Sequence, residues 1–210
     1  MIDFETRRRE LVQRLRDEKQ IRSERVLAAI ESVPRERFLA VDQEAQAYED
    51  RPLPIACDQT ISQPYIVARM LELLELKGAE RVLEVGCGCG YAAALMARLA
   101  SEVITIERHP ELADTARERL RQLGIGNIEV RQGDGTRGAP DRVPYDAILV
   151  SAGGTRIPQA LKEQLGPGGR LVIPIGPRTE EQRLVRMTRH ADGWHEEQLD
   201  EVRFVPLIGA

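Results

Sequence analysis

Arg81-Val82-Leu83-Glu84-Val85-Gly86-Cys87-Gly88-Cys89-Gly90-Tyr91 decides the fold of this 210-residue chain. A short stretch of strand character runs into three glycines at alternate positions, and a helical pattern begins at Tyr91. Such a strand–loop–helix unit opens many α/β sheets, whose ligands gather at the carboxyl ends of the strands. Gly86, Gly88 and Gly90 each lack a Cβ that would keep a ligand from the backbone N–H groups.

Downstream the same rhythm repeats. Strands are expected at 81–86, 102–107, 127–131, 145–151 and 170–175, with helices at about 91–99, 110–123 and 157–165. The helix at 110–123 has Leu112, Ala113, Ala116, Leu120 and Leu123 on one side. Alternation with short connections predicts a parallel sheet covered by helices on both faces. Segments 183–189 and 199–205 read as closing strands around a turn at Asp192-Gly193. Upstream the chain is helical, with stripes of Phe4, Leu11, Val12 and Leu15, then Val26, Leu27, Ile30 and Val33. Val33-Pro34 breaks that pattern, and 35–39 follows as a short turn or helix. Residues 47–61 read as an irregular loop with room for one short strand. Ser62 is placed to cap the next helix, whose apolar face is Ile66, Val67, Met70, Leu71 and Leu74.

Composition narrows the function. Thirty Lys and Arg against 34 Asp and Glu, a formal charge of −4, leave no basic field for a phosphate backbone. The Arg7-Arg8-Arg9 run shares its helix with Glu5 and Glu10, as a solvated face does. No apolar run approaches the ~18 residues that span a bilayer. The mixed charges of the N-terminus do not make a signal peptide. Three cysteines, two of them one residue apart, are no secreted disulfide framework. The expectation is a cytoplasmic monomer with no nucleic-acid or membrane partner. His109, His190 and His195 are too dispersed for a triad or metal site, and no Gly-x-Ser-x-Gly elbow occurs.

The glycine loop itself separates two cofactors. A dinucleotide fingerprint needs glycine at the sixth position, where this chain has Tyr91. Instead Glu84 stands two residues before the first glycine. A carboxylate there suits the cationic end of S-adenosylmethionine and would crowd a pyrophosphate. Glu107, at the end of the second strand, is then the partner for ribose hydroxyls, although a solvated acid at a strand end would look the same. Asp134, between Gly133 and Gly135, can reach an adenine amino group, and turn chemistry alone also explains it. Ser62 offers a hydroxyl just ahead of Pro64, itself suited to a first helical turn, so it either caps the helix or orients an anion.

Five further segments join the glycine loop in one resemblance. They are Val33-Pro34-Arg35-Glu36-Arg37-Phe38, Asp58-Gln59-Thr60-Ile61-Ser62-Gln63-Pro64-Tyr65, Gly133-Asp134-Gly135, Pro167-Gly168-Gly169-Arg170-Leu171-Val172 and Val202-Arg203-Phe204-Val205-Pro206-Leu207. Together with the loop they resemble the protein-L-isoaspartate O-methyltransferases. The resemblance implies an α/β, Rossmann-like S-adenosylmethionine-dependent methyltransferase fold. Its mostly parallel central sheet would have helices on both faces and an N-terminal helical extension. One domain would span 1–210, with 1–79 carrying the helices and acceptor segment and 80–210 the cofactor core. S-adenosylmethionine would be held by Glu84, Gly86, Cys87, Gly88, Gly90, Glu107, Arg108, Asp134 and Gly135. Ser62 would be the active-site residue, and Thr60, Ile61, Ser62, Val205 and Pro206 would bind the substrate. The partners implied are proteins and peptides that contain isoaspartate.

The chain departs from the family pattern near the site. Ala56-Cys57-Asp58 replaces a usual Gly-x-Gly, which stiffens the loop and adds a negative charge beside an anionic acceptor. Positions 87 and 89, usually Thr and Ser, are Cys, and Ala152-Gly153-Gly154-Thr155 replaces Ala-Ala-Pro-Glu. No aromatic follows Gly133-Asp134-Gly135, where one is common. Two alternatives therefore stay open: a paralogue that methylates ordinary aspartate in a dedicated peptide partner, and a cofactor-binding protein that has lost transfer. Cys57, Cys87 and Cys89 read either as small fillers or as a redox or metal switch, though Cys-x-Cys with one distant cysteine is poor zinc spacing.

Overall fold

The computed structural model describes residues 2–177 and 180–209. A hairpin of β1 (Leu53–Ile55) and β2 (Gln59–Ile61) stands apart from the main sheet. The sheet is built from β3 (Arg81–Val85), β4 (Glu102–Glu107), β5 (Ile128–Gln132), β6 (Tyr145–Val150), β7 (Leu165–Ile175), β8 (Gln182–His190) and β9 (Gly193–Val202). Their order is β5-β4-β3-β6-β7-β8-β9. The first five neighbours run parallel, and β8 and β9 close the sheet antiparallel. Strand β3 lies between β4 and β6, so the chain winds outward one way and then starts again on the other side. That reversal opens a crevice at the carboxyl end of β3.

The central strands read as apolar runs because both their faces are covered. On one face Val82, Val103 and Leu149 meet α3 (Pro64–Leu74) and α4 (Tyr91–Leu99) through Leu71, Leu74, Leu95 and Met96. The same core continues into α1 (Phe4–Asp17) and α2 (Glu24–Ser32) through Leu11, Leu15, Leu27 and Ile30. On the other face Leu83, Ile104, Ile148 and Leu171 pack with Leu161 of α6 (Gln159–Gln164). Helix α5 (Pro110–Gln122) buries Leu112, Ala113, Ala116 and Leu120. Glu72 of α3 accepts from the backbone N–H groups of Arg22 and Ser23 at 2.7 and 2.9 Å, which ties the start of α2 to α3.

Three expectations shift. The helix expected at 157–165 is confined to Gln159–Gln164, because Leu165 already pairs with Tyr145. Residues 166–169 then bulge out before Arg170 meets Ala147, so one strand brackets what reads as a turn. The last strand begins at Gly193 rather than 199 and ends at Val202 rather than 205. Its first residues, Gly193-Trp194-His195-Glu196, are exposed edge strand and carry no alternating apolar signal. Finally, Ser62 does not cap α3. Gln63 occupies the cap position without a side-chain bond, and Asp50 accepts from the Tyr65 N–H at 2.9 Å instead.

Candidate active site

At the crevice above β3 lies a cleft of about 1050 Å³, its open mouth included. Its walls are the glycine loop, the carboxyl ends of β4 and β6, the segment 59–62 and the segment 205–208. Thr60, Ile61, Ser62, Glu84, Gly86, Cys87, Gly88, Glu107, Arg108, Gly135, Val205 and Pro206 all line it. Two residues expected there do not. Gly90 has turned towards α5, where a Cβ would come within 3.2 Å of Ala116. Asp134 accepts from the backbone and hydroxyl of Thr136 at 2.9 and 2.7 Å and faces Arg137 at 3.6 Å. It caps the short helical turn 135–137, which is the turn role that its glycine neighbours also suggest.

The glycine-loop side of the cleft is pre-organised. Glu107 is 5 % exposed, and its two oxygens accept from the N–H groups of Gly88 and His109 at 2.8 and 3.0 Å. The first bond ties the glycine loop to β4 and the second ties the start of α5 to it, while the carboxylate lines the cleft. Gly86 and Gly88 hold φ of +91° and +54°, a region that L side chains rarely adopt. At Gly135 a Cβ would sit 2.3 Å from Val85 Cγ1, so only glycine lets this turn approach β3.

Glu84 is fully buried, with one oxygen accepting from the Thr105 hydroxyl. Its other oxygen, Oε1, is buried with no hydrogen-bond partner among the described residues. Burial pushes this carboxyl up to about 8, against the lowering effect of Thr105, and nearby Glu107 adds to the rise. The group is therefore mostly protonated at neutral pH, and a cation brought against it would favour the ionised form. Burial likewise raises the thiols of Cys87 and Cys89, and of Cys57 beside Glu111, which makes them poor nucleophiles. All three are free cysteines, and no cluster of potential metal ligands occurs among the described residues.

The wall across the cleft from the glycine loop is assembled from distant pieces. Cys57 and Asp58 hold φ of +59° and +55° at the tip of the β1–β2 hairpin, and Gln59 N–H closes the turn on Ala56 at 3.2 Å. These are positions for glycine, taken here by two side chains. Ile55 reaches over the cofactor loop, 3.5 Å from where a Cβ of Gly88 would stand. Beyond the hairpin, Ser62 is half-buried on the cleft wall. With Asp50 capping α3, no group among the described residues engages the Ser62 hydroxyl.

The segment 204–207 leaves the sheet and lies alongside the carboxyl end of β6. Gly153 donates to Val205 O at 2.8 Å, and Leu207 donates back to Gly153 O at 2.7 Å. Gln182 grips Phe204 through both its N–H and its carbonyl, at 3.0 and 3.3 Å. A Cβ at Gly153 would lie 2.4 Å from that glutamine, so the glycine makes room for the grip. A second hollow, of about 940 Å³, shares Thr60 and Ser62 with the first and runs on past Arg203 and Phe204. Sequence reasoning missed His109, Ser151, Leu207 and Ile208 on the main cleft wall. His109 lies two residues past the end of β4 and Ser151 directly follows β6, where ligand contacts are expected; Leu207 and Ile208 continue an apolar run past Pro206.

A family model for protein-L-isoaspartate(D-aspartate) O-methyltransferase matches residues 6–210. The chain belongs to this family. Protein-L-isoaspartate O-methyltransferase 1 of Rhodopseudomonas palustris (strain HaA2) is 56 % identical over 207 residues, covering 98 % of this chain and 84 % of the relative. The Brucella anthropi enzyme of the same name is 47 % identical over 210 residues, covering 100 % of this chain and 96 % of its own. A solved protein-L-isoaspartate O-methyltransferase superposes with a TM-score of 0.87 at 30 % identity, covering 96 % of this chain and 66 % of that one. A Plasmodium falciparum structure of this kind, in complex with S-adenosyl-L-homocysteine, gives 0.83 at 25 % identity and covers 96 % and 98 %.

Proposed function

We infer that Ser62 orients the acceptor carboxylate in this cleft and that Glu84, Glu107 and the glycine loop hold the methyl donor. The chain is an S-adenosylmethionine-dependent carboxyl methyltransferase acting on L-isoaspartyl residues of damaged proteins and peptides. The observation that carries the site reading is the freed Ser62 hydroxyl on the wall of a cleft whose other wall is the glycine loop.

The donor fits the residues present. Glu84 Oε1 offers a buried acceptor for a cationic group, the glycines leave room for a ligand against the backbone, and Glu107 keeps lone pairs for ribose hydroxyls. Bound there, S-adenosylmethionine supplies a methyl group on a sulfonium. Arg108, beside Glu107 on the wall, is placed to contact the same ligand.

The acceptor needs no general base, because an isoaspartyl α-carboxylate is already ionised at neutral pH. What remains for the chain is orientation and exclusion of water. Ser62 donates to one carboxylate oxygen and leaves the other free to attack. Ile61, Val205 and Pro206 supply apolar wall, and the backbone of Thr60 and of 205–206 pins an extended peptide. Attack by an anion on a sulfonium cancels charge, so a dry wall favours the step. The resulting methyl ester closes to a succinimide when the following backbone amide nitrogen attacks it and methanol leaves, a route closed to the ionised carboxylate, which has no leaving group to expel. Hydrolysis of that ring returns part of the material to normal aspartate. No described helix is long and apolar enough to cross a membrane. We place the reaction in the cytoplasm on a monomer without nucleic acid, which the net charge of −4 and the free thiols favour.

Labelled methyl transfer to matched isoaspartyl and aspartyl peptides tests this. Turnover is expected on isoaspartate only. Ser62→Ala should lower kcat/KM by about 100-fold, the scale of one oriented donor, while S-adenosylhomocysteine binds as before. Equal transfer to the aspartyl peptide would favour the paralogue, and binding without any transfer the inactive module.

A further inference from the structure

We propose that Arg35 is a positioning residue that sets the acceptor segment against the donor side of the cleft. The proposal rests on the function given above and goes beyond it, because Arg35 lies outside the cleft wall.

Arg35 opens the short helical turn Arg35–Phe38 that follows Val33-Pro34, and its side chain is fully buried. Nε donates to the carbonyl of Ala47 and Nη2 to the carbonyl of Ser62, both at 2.8 Å. The guanidinium carbon lies 4.9 Å from the ring centroid of Tyr91. Tyr91 begins α4 directly after the glycine loop and lines the cleft. One side chain thus touches the backbone of Ser62 and the first residue beyond the cofactor loop.

Stability alone does not account for this group. Its sequence neighbour Glu36 is engaged by Tyr48 and Arg8, and no carboxylate pairs with Arg35 among the described residues. Nη1 is buried without a hydrogen-bond partner there. A buried charge without a counter-ion costs several kcal/mol, and apolar residues of similar volume often replace buried ions without loss. Carbonyl dipoles and the face of an aromatic ring offset part of that cost. What an apolar residue could not supply is a planar fork that holds two carbonyls at a fixed angle. One of those carbonyls belongs to Ser62 itself. Methyl transfer depends on near-attack geometry, and a displacement of about 1 Å far from the chemistry can cost on the order of 100-fold in rate.

The test compares wild type, Arg35→Met and Arg35→Lys for isoaspartyl-peptide kinetics, S-adenosylhomocysteine affinity by calorimetry and unfolding midpoint. Arg35→Met should lower kcat by roughly 100-fold, the scale of an ångström misplacement, and leave S-adenosylhomocysteine affinity within about threefold. Arg35→Lys should recover roughly a tenth of the wild-type rate, because an ammonium is a point donor and cannot reproduce the fork. A folded Arg35→Met protein with wild-type kcat overturns the proposal. So does a loss of rate matched by an equal loss of cofactor affinity, the mark of a general structural role. If the methionine variant does not fold, the lysine variant decides: wild-type kcat overturns the proposal, and reduced kcat with unchanged cofactor affinity supports it. A wild-type protein inactive on isoaspartate refutes the function itself, an outcome separate from any difference among the variants.

Discussion

The two walls of the cleft are built on opposite plans. The glycine-loop wall, proposed to hold the donor, is local: β3, its loop and the end of β4 supply it, and Glu107 ties the loop at Gly88 and the start of α5 at His109, one charge-assisted bond to each. The acceptor wall is long-range. Ser62 is held through Arg35, its helix is capped by Asp50, and its opposite bank comes from 205–208 by way of Gly153 and Gln182. A wall made by one strand–loop–helix unit can be kept rigid by a few residues. A wall gathered from distant segments depends on separate tethers, and each one is a place where selectivity can change.

Substitutions on the two walls should therefore act on different quantities. The largest effect is expected from Glu107→Ala, which removes the carboxylate proposed to hold the ribose and orphans the N–H groups of Gly88 and His109. Charge-assisted bonds of this kind contribute about 1.5–3 kcal/mol, so calorimetry should show S-adenosylhomocysteine binding about 100-fold weaker. Peptide KM should stay near its wild-type value. A comparable rise in peptide KM would mean that the walls are not separable.

Glu84→Gln sharpens the comparison through pH. Burial holds the folded-state pKa at about 8, against the 4.5 of an exposed glutamate. Between those values the folded protein keeps a proton that the unfolded chain has released. Ligand-free stability therefore falls as pH rises through that window, by up to about 1.4 kcal/mol per unit, and levels off above it. The glutamine variant lacks this titration. The gap between the two stability curves should shift steadily from pH 5 to 8 in the variant's favour; a constant gap would mean that Glu84 is ionised in the folded protein.

The smallest effect concerns the hairpin tip. Cys57 and Asp58 sit at φ of +59° and +55°, and relief of that strain competes with the extra chain entropy of glycine. Cys57→Gly with Asp58→Gly should raise stability by about 1 kcal/mol and leave S-adenosylhomocysteine affinity unchanged. A clear loss of stability would show that the contact of Cys57 Sγ with Glu111, 3.8 Å away, holds the hairpin down.

The same division explains what the sequence made legible. The strand into Gly86, the stripe of α5 and the acid at 107 announce themselves locally, through periodicity and turn chemistry. That the glycine loop and segment 59–62 share a cleft followed from the family resemblance rather than from periodicity. Asp50 as the cap of α3 could not be read, because it lies 15 residues from the N–H it serves. Gly90 and Asp134 are not on the cleft wall: Gly90 packs towards Ala116 and Asp134 also caps the turn at Thr136, neither of which the residue types alone announce. The first half of β9 escaped notice because an edge strand with polar residues on both faces has no period to detect.

The docking of 205–208 against Gly153 has a consequence for synthesis. A ribosome that has delivered the chain only as far as β8 has already produced the glycine loop, β4 and the segment around Ser62. It has not yet produced Val205 and Pro206, which line the cleft opposite the glycine loop. Nascent chains can thus present the glycine-loop half of the cleft but not its finished opposite wall, and under the function proposed here activity begins only once the segment after β9 has docked on Gly153.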